Sequence, residues 1–219
     1  MGRSWKRSSA LGFVSIIHGI GMPAQDSLVI FFHGIGASGA QLMPLATSWR
    51  TALPNSRFAA PDAPFTHWRG HQWFRVDGNP LAPENIRSAR DGFDETVADI
   101  IREEGFGSTP DRVAFVGVSQ GAIVALDAVA SGRWQVGALV SFAGLLPPIK
   151  FLPKSNRTPI LLLHGKDDRT IPAVASTMAA NQLGAAGFRV EAEILPAVGH
   201  TISPGGAERA LQFLQRSLA

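Results

Sequence analysis

Short, continuous apolar runs alternate along this chain with longer stretches whose apolar residues recur at helical spacing. The run Leu28-Val29-Ile30-Phe31-Phe32 has no polar interruption and predicts a strand buried on both faces of a sheet. Further apolar runs at 57–60, 112–116, 136–142, 158–163 and 189–195 predict five more strands. Alternation through Phe13, Ser15 and Ile17 predicts a strand ahead of them, with a turn at 23–27. Helices are expected over 40–53, 83–104, 122–130, 172–185 and 204–218. In the longest, Ile86, Ala89, Phe93, Val97, Ile100 and Ile101 share one face, which is expected to be core. The stretch 61–83 fits neither pattern. It is read as an irregular loop rich in aromatics: Phe65, Trp68, Trp73 and Phe74.

Strands alternating with helices predict an α/β fold, a mostly parallel central sheet with helices on both faces. No repeat or long linker divides the chain, so one domain is expected over 1–219, with 1–27 as an N-terminal strand and turn region. About fifteen residues separate Phe142 from Thr158, too few for a separate lid domain. In such sheets ligands bind at the carboxyl ends of the strands.

Composition narrows the chemistry. The 219 residues are 45% hydrophobic, enough for a sizeable core. There is no cysteine, which removes disulfides, thiolate metal sites and a cysteine nucleophile, and fits a reducing, cytoplasmic setting. The net charge of +3 comes from arginines scattered along the chain, which reads as a solvated surface and not as a nucleic-acid footprint. Arg3, Lys6 and Arg7 precede an apolar stretch at 10–22 that resembles a secretory signal. Its His18, its three glycines and the lack of an A-x-A site favour the strand reading instead. No run is long and apolar enough to span a bilayer.

The chemistry centres on Gly117-Val118-Ser119-Gln120-Gly121, between an expected strand and an expected helix. G-x-S-x-G at such a turn predicts a nucleophile elbow, with Ser119 exposed and both glycines required because a Cβ would collide with neighbouring elements. The plain alternative is a glycine-flanked turn with an incidental serine. A serine nucleophile needs a base and a group to orient that base. Asp167 or Asp168, then His200, follow Ser119 at later strand ends, the chain order Ser, Asp, His of α/β-hydrolases. His33 and His164 each precede a glycine and are expected to brace loops. His67 and His71 lie in the aromatic loop but precede the serine. The loop His33-Gly34-Ile35-Gly36-Ala37-Ser38-Gly39 lacks the lysine and spacing of a phosphate loop, and is read as an oxyanion loop.

These segments together resemble the carboxylesterase, lysophospholipase and acyl-protein thioesterase family of α/β-hydrolases. The matching pieces are Phe32-His33-Gly34-Ile35-Gly36, the Ser119 pentapeptide, His164-Gly165-Lys166-Asp167-Asp168-Arg169-Thr170-Ile171-Pro172, and Gly199-His200. The resemblance implies the α/β-hydrolase fold, selects Asp168 as the acid, and implies an oxyanion hole from the backbone N–H groups of Ile35 and Gln120. Trp73-Phe74 resembles the family's W-F-D element, with Arg75 replacing the aspartate. Ser141-Phe142-Ala143-Gly144-Leu145-Leu146-Pro147 loosely resembles its S-G-x-L-P turn. With no lid between 142 and 158, an open substrate groove is expected, and Trp73, Phe74, Leu145, Leu146, Ile149 and Phe151 either line it or simply pack on the core. The implied activity is a serine esterase acting on small or medium acyl esters or thioesters, with no cofactor, no metal, no nucleic acid and no integral membrane association. Long-chain lysophospholipase or thioesterase activity and a non-catalytic binder are the alternatives. Monomer and homodimer both remain open.

Overall fold

A computed structural model of the chain describes residues 27–148 and 158–219, together with the backbone of Val14–Ile17. Strands β1 (Val14–Ile17), β2 (Ser27–Phe32) and β3 (Ser56–Pro61) come first, with helix α1 (Met43–Trp49) between the last two. A small hairpin, β4 (Phe65–His67) and β5 (Gly70–Gln72), leads to α2 (Pro83–Glu103). Then follow β6 (Val113–Val118), α3 (Gln120–Ala130), β7 (Ala138–Phe142), β8 (Ile160–Gly165), α4 (Val174–Ala185), β9 (Val190–Leu195) and α5 (Pro204–Ser217). Seven strands form one sheet in the order β1-β3-β2-β6-β7-β8-β9. Every pairing is parallel except β1 with β3. Among the described residues no separate lid domain stands over it, and no helix is long and apolar enough to cross a membrane.

The continuous apolar runs are explained by two cores, one on each face. Side chains alternate across a strand. Leu28, Ile30 and Phe32 of β2 join α2, α3 and α4 on one side, while Val29 and Phe31 join α1 and α5 on the other. β6 and β8 divide their residues the same way. The aromatic layer beneath the site is tight, with the Phe32 ring 4.8 Å from Phe93, 5.2 Å from Phe115 and 5.4 Å from Trp73. Such pairs add about 0.5–1.5 kcal/mol each beyond burial and fix the rings' orientations.

Three expectations need correction. The helix expected over 40–53 is a 3-10 turn, Gly39–Leu42, followed by a shorter α1. Pro44 sits in the first turn of α1, where its missing N–H costs nothing. The region 61–83 is not wholly irregular, because β4 and β5 pair antiparallel. Ile86 is only half-buried and faces a groove instead of the core. Of the expected first strand, β1 is present. Phe13, His18, Ile149 and Phe151 lie outside the described residues. The last strand, β9, is an edge whose residues are mostly exposed, with Glu191 and Glu193 paired to Arg209 of α5 and Glu191 also to Arg216.

Candidate active site

Ser119 occupies the turn between β6 and α3 with φ 52° and ψ −117°, a conformation that non-glycine residues rarely adopt. The two flanking glycines make it attainable. A Cβ on Gly117 would lie 2.5 Å from the Ala122 Cα, and one on Gly121 would lie 2.2 Å from the Phe32 carbonyl oxygen. The Ser119 N–H donates to the Phe142 carbonyl on β7 at 2.9 Å, and its own carbonyl accepts from Ile123 in the first turn of α3. The serine is therefore clamped on both sides.

His200 follows β9 and Asp168 follows β8. Their loops are nested. A Cβ on Gly165 would meet the Val198 carbonyl oxygen at 2.2 Å, and Asp167 N–H donates to that carbonyl at 2.9 Å. His200 Nδ1 is 2.6 Å from Asp168 Oδ2, and His200 Nε2 is 2.9 Å from Ser119 Oγ. A carboxylate only accepts, so Nδ1 carries the proton and Nε2 is free to accept from the serine hydroxyl. The neighbouring Asp167 is exposed and makes no such contact.

Asp168 is fully buried at its side chain. Burial pushes its carboxyl pKa up, but hydrogen bonds from His200 and from the N–H groups of Ile171 and Thr170, with the charge of His200, outweigh that and hold it below the ordinary carboxylate value. His164 braces it from behind. The Nε2 of His164 faces two acceptors, Asp168 Oδ2 at 3.1 Å and the Ile171 carbonyl at 2.8 Å, so it must bear the proton. Its Nδ1 then accepts from the Ser176 hydroxyl at 2.7 Å. The bracing role expected for His164 is what the geometry has.

The loop after β2 runs beside the serine, since a Cβ on Gly34 would point to within 3.4 Å of the Ser119 Cβ. Among the described residues neither Ile35 N–H nor Gln120 N–H has a hydrogen-bond partner. The β4–β5 hairpin pins this loop, with Gly36 N–H donating to the His71 carbonyl at 2.8 Å and His71 N–H to the Ala37 carbonyl at 2.9 Å. His33 bonds the Gly34 carbonyl through Nδ1 and accepts from Ala63 N–H at Nε2. Burial is the main cause that lowers its pKa, so this imidazole stays neutral.

The Gln120 side chain joins the elbow to the aromatic loop. Its Oε1 accepts from Trp73 N–H at 2.7 Å, and its Nε2 donates to the Phe74 carbonyl at 2.7 Å. Trp73 is fully buried, with its indole N–H on the His33 carbonyl at 3.0 Å. This corrects the expectation that Trp73 lines the groove, because packing against Phe32 and Phe93 places it under the surface. Leu146 likewise packs on the core. Phe74 and Leu145 do line a groove of about 520 Å³, together with Leu81, Ile86, Phe93 and Ile123. Arg90, Asp127 and Arg133 also border it. Sequence reasoning missed these three. A charged residue at position 90, between Ile86 and Phe93 on the apolar stripe of α2, was the available signal.

Comparison with known proteins agrees with this fold. Carboxylesterase SOBER1 of Arabidopsis thaliana is 30% identical over 207 residues, covering 88% of this chain and 91% of that protein. A probable inactive carboxylesterase of Oryza sativa subsp. japonica is 28% identical, covering 81% of this chain and 79% of its own length. The crystal structure of esterase PE8 superposes with a TM-score of 0.80 at 29% identity, covering 93% of this chain and 97% of that one. The sequence pattern of the phospholipase/carboxylesterase family matches residues 15–218, so the chain belongs to that family of carboxylic ester hydrolases.

Proposed function

We propose that the chain is a serine carboxylesterase for small to medium acyl esters, with Ser119 as nucleophile, His200 as general base and acid, and Asp168 as the orienting carboxylate. The observation that carries this reading is the unbroken line from Ser119 Oγ through His200 to Asp168, at 2.9 and 2.6 Å. His200 Nε2 takes the hydroxyl proton as Ser119 Oγ attacks the acyl carbonyl. The negative charge that develops on the carbonyl oxygen is held by the N–H groups of Ile35 and Gln120. One such donor is typically worth about 10²–10³ in rate. The tetrahedral intermediate collapses, His200 returns the proton to the departing alkoxide or thiolate, and an acyl-Ser119 ester remains. Water, deprotonated by His200, then releases the acid. Asp168 holds the reactive tautomer and stabilises the imidazolium.

The second reading, long-chain lysophospholipase or thioesterase activity, is favoured by the apolar lining of the groove. Hydrolysis of p-nitrophenyl esters tests both. Ser119→Ala and His200→Ala are expected to lower kcat by at least about 10⁴-fold, and Asp168→Asn by a comparable factor. Near-full turnover in Ser119→Ala would overturn the assignment. A rate that climbs steadily to palmitoyl esters would favour the second reading.

A further inference from the structure

The groove borders α3 from Ile123, whose N–H bonds the carbonyl of the candidate nucleophile, to Asp127. Along α3, Ile123 lies one turn and Asp127 two turns beyond Ser119, and both border the groove. Asp127 is clamped on two sides. Arg90 of α2 reaches it in a bidentate pair, Nε to Oδ2 at 2.9 Å and Nη2 to Oδ1 at 2.7 Å, and Arg133 Nη1 donates to Oδ2 at 2.8 Å. Arg133 is fixed in turn by Asp94, at 2.8 Å from its Nε, and Asp94 also accepts from the Trp134 indole N–H at 2.7 Å. The side chain of Asp127 is 11% exposed, and those of Arg90 and Arg133 are 33% and 22% exposed. This is a hydrogen-bonded polar wall in an otherwise apolar lining.

We propose that an acyl chain bound at Ser119 runs along α3 and that the Arg90–Asp127–Arg133 cluster is its end stop, which makes these residues the determinants of chain length. The proposal rests on the serine-esterase reading above. A methylene pressed against the wall would strip water from paired charges and return no hydrogen bond, so extension past it is disfavoured. Eight residues of helix from Ser119 to Asp127 span about 12 Å. An extended chain advances about 1.2 Å per bond, so after allowance for the ester linkage about eight carbons fit.

The test is kcat/KM for p-nitrophenyl esters from acetyl to palmitoyl, each below its micelle concentration, with the full chain. The wild type is expected to peak near octanoyl and to fall about tenfold or more by dodecanoyl. Arg90→Leu with Asp127→Leu removes the bidentate pair from the wall, keeps the net charge, and leaves Arg133 paired with Asp94. Each methylene newly covered is worth about fourfold, so the dodecanoyl-to-octanoyl ratio should rise about tenfold or more. Ile123→Trp fills the channel one turn from the serine and should move the optimum to shorter chains. If circular dichroism shows that the double variant does not fold, Arg90→Leu alone, which leaves Asp127 paired with Arg133 at 2.8 Å, reads the same dodecanoyl-to-octanoyl ratio. A cluster that merely clamps α2 to α3 would change all rates alike. An unmoved optimum in folded variants, or a wild-type peak at myristoyl or longer, overturns the proposal while Ser119-dependent turnover leaves the esterase reading standing. Loss of Ser119 dependence would instead sink that reading.

Discussion

Replacing Gln120 tests whether the elbow and the aromatic loop are held as one piece. In Gln120→Ala the Trp73 N–H, now bonded at 2.7 Å in a fully buried position, loses its acceptor. An orphaned buried donor costs about 1–3 kcal/mol. The Phe74 carbonyl loses its 2.7 Å donor too, but Phe74 is half-buried and water can replace part of that bond, so about 0.5–1 kcal/mol is expected there. The sum, about 1.5–4 kcal/mol, corresponds to a fall in Tm of about 3–16 °C for a chain of this length. Gln120→Glu sharpens the test. One carboxylate oxygen can still accept from Trp73 N–H, but the other faces the Phe74 carbonyl, acceptor against acceptor. Protonation relieves this, so the folded-state pKa of the new glutamate is raised. That variant should be nearest to wild type below about pH 4.3 and lose stability as pH rises. Urea unfolding followed by tryptophan fluorescence reads both effects. A Gln120→Ala midpoint within 0.5 kcal/mol of wild type would refute the argument, as would a Glu variant with no pH dependence beyond that of wild type.

Two further outcomes follow from the loops around the serine. Since burial holds His33 neutral while the unfolded chain takes up a proton near pH 6.5, wild-type stability should fall as pH drops below that value. His33→Gln should flatten this slope between pH 7 and 5, and an unchanged slope in urea midpoints would count against it. Gly121→Ala places a methyl 2.2 Å from a backbone oxygen of β2 that cannot rotate away. It should cost at least about 3 kcal/mol or prevent folding, whereas a soluble variant melting within about 2 °C of wild type would contradict the model of the elbow.

Much of this architecture can be read from the chain because the central strands are buried on both faces. Leu28 to Phe32 can hardly be anything else, and the same holds for β6 and β8. Strand ends and chain order point to Ser119 and His200 and leave Asp167 and Asp168 both open as the acid; the family resemblance selects Asp168, and the structure brings the three within hydrogen-bond reach. The hairpin β4–β5 was invisible for a physical reason. Its strands are three residues long, half polar, and held by backbone pairing to each other and to Ala37, which leaves no periodic trace. Trp73 was misplaced because a tryptophan in a loop looks like lining until its indole is seen on the His33 carbonyl. The Arg90–Asp127 pair joins residues 37 positions apart, and only the packing of α2 on α3 reveals that they meet.

The acidic rim of β9 has a consequence for how these molecules meet one another. A sheet's last strand presents unpaired backbone groups to any extended segment that drifts past, and continuous growth from such an edge is the route to fibres. Here that segment would have to lie against Glu191 and Glu193 and compete with the arginines of α5 that already cover them. The border of the sheet is thus guarded by charge, and the fold resists templated aggregation on the side where it has no strand left to add.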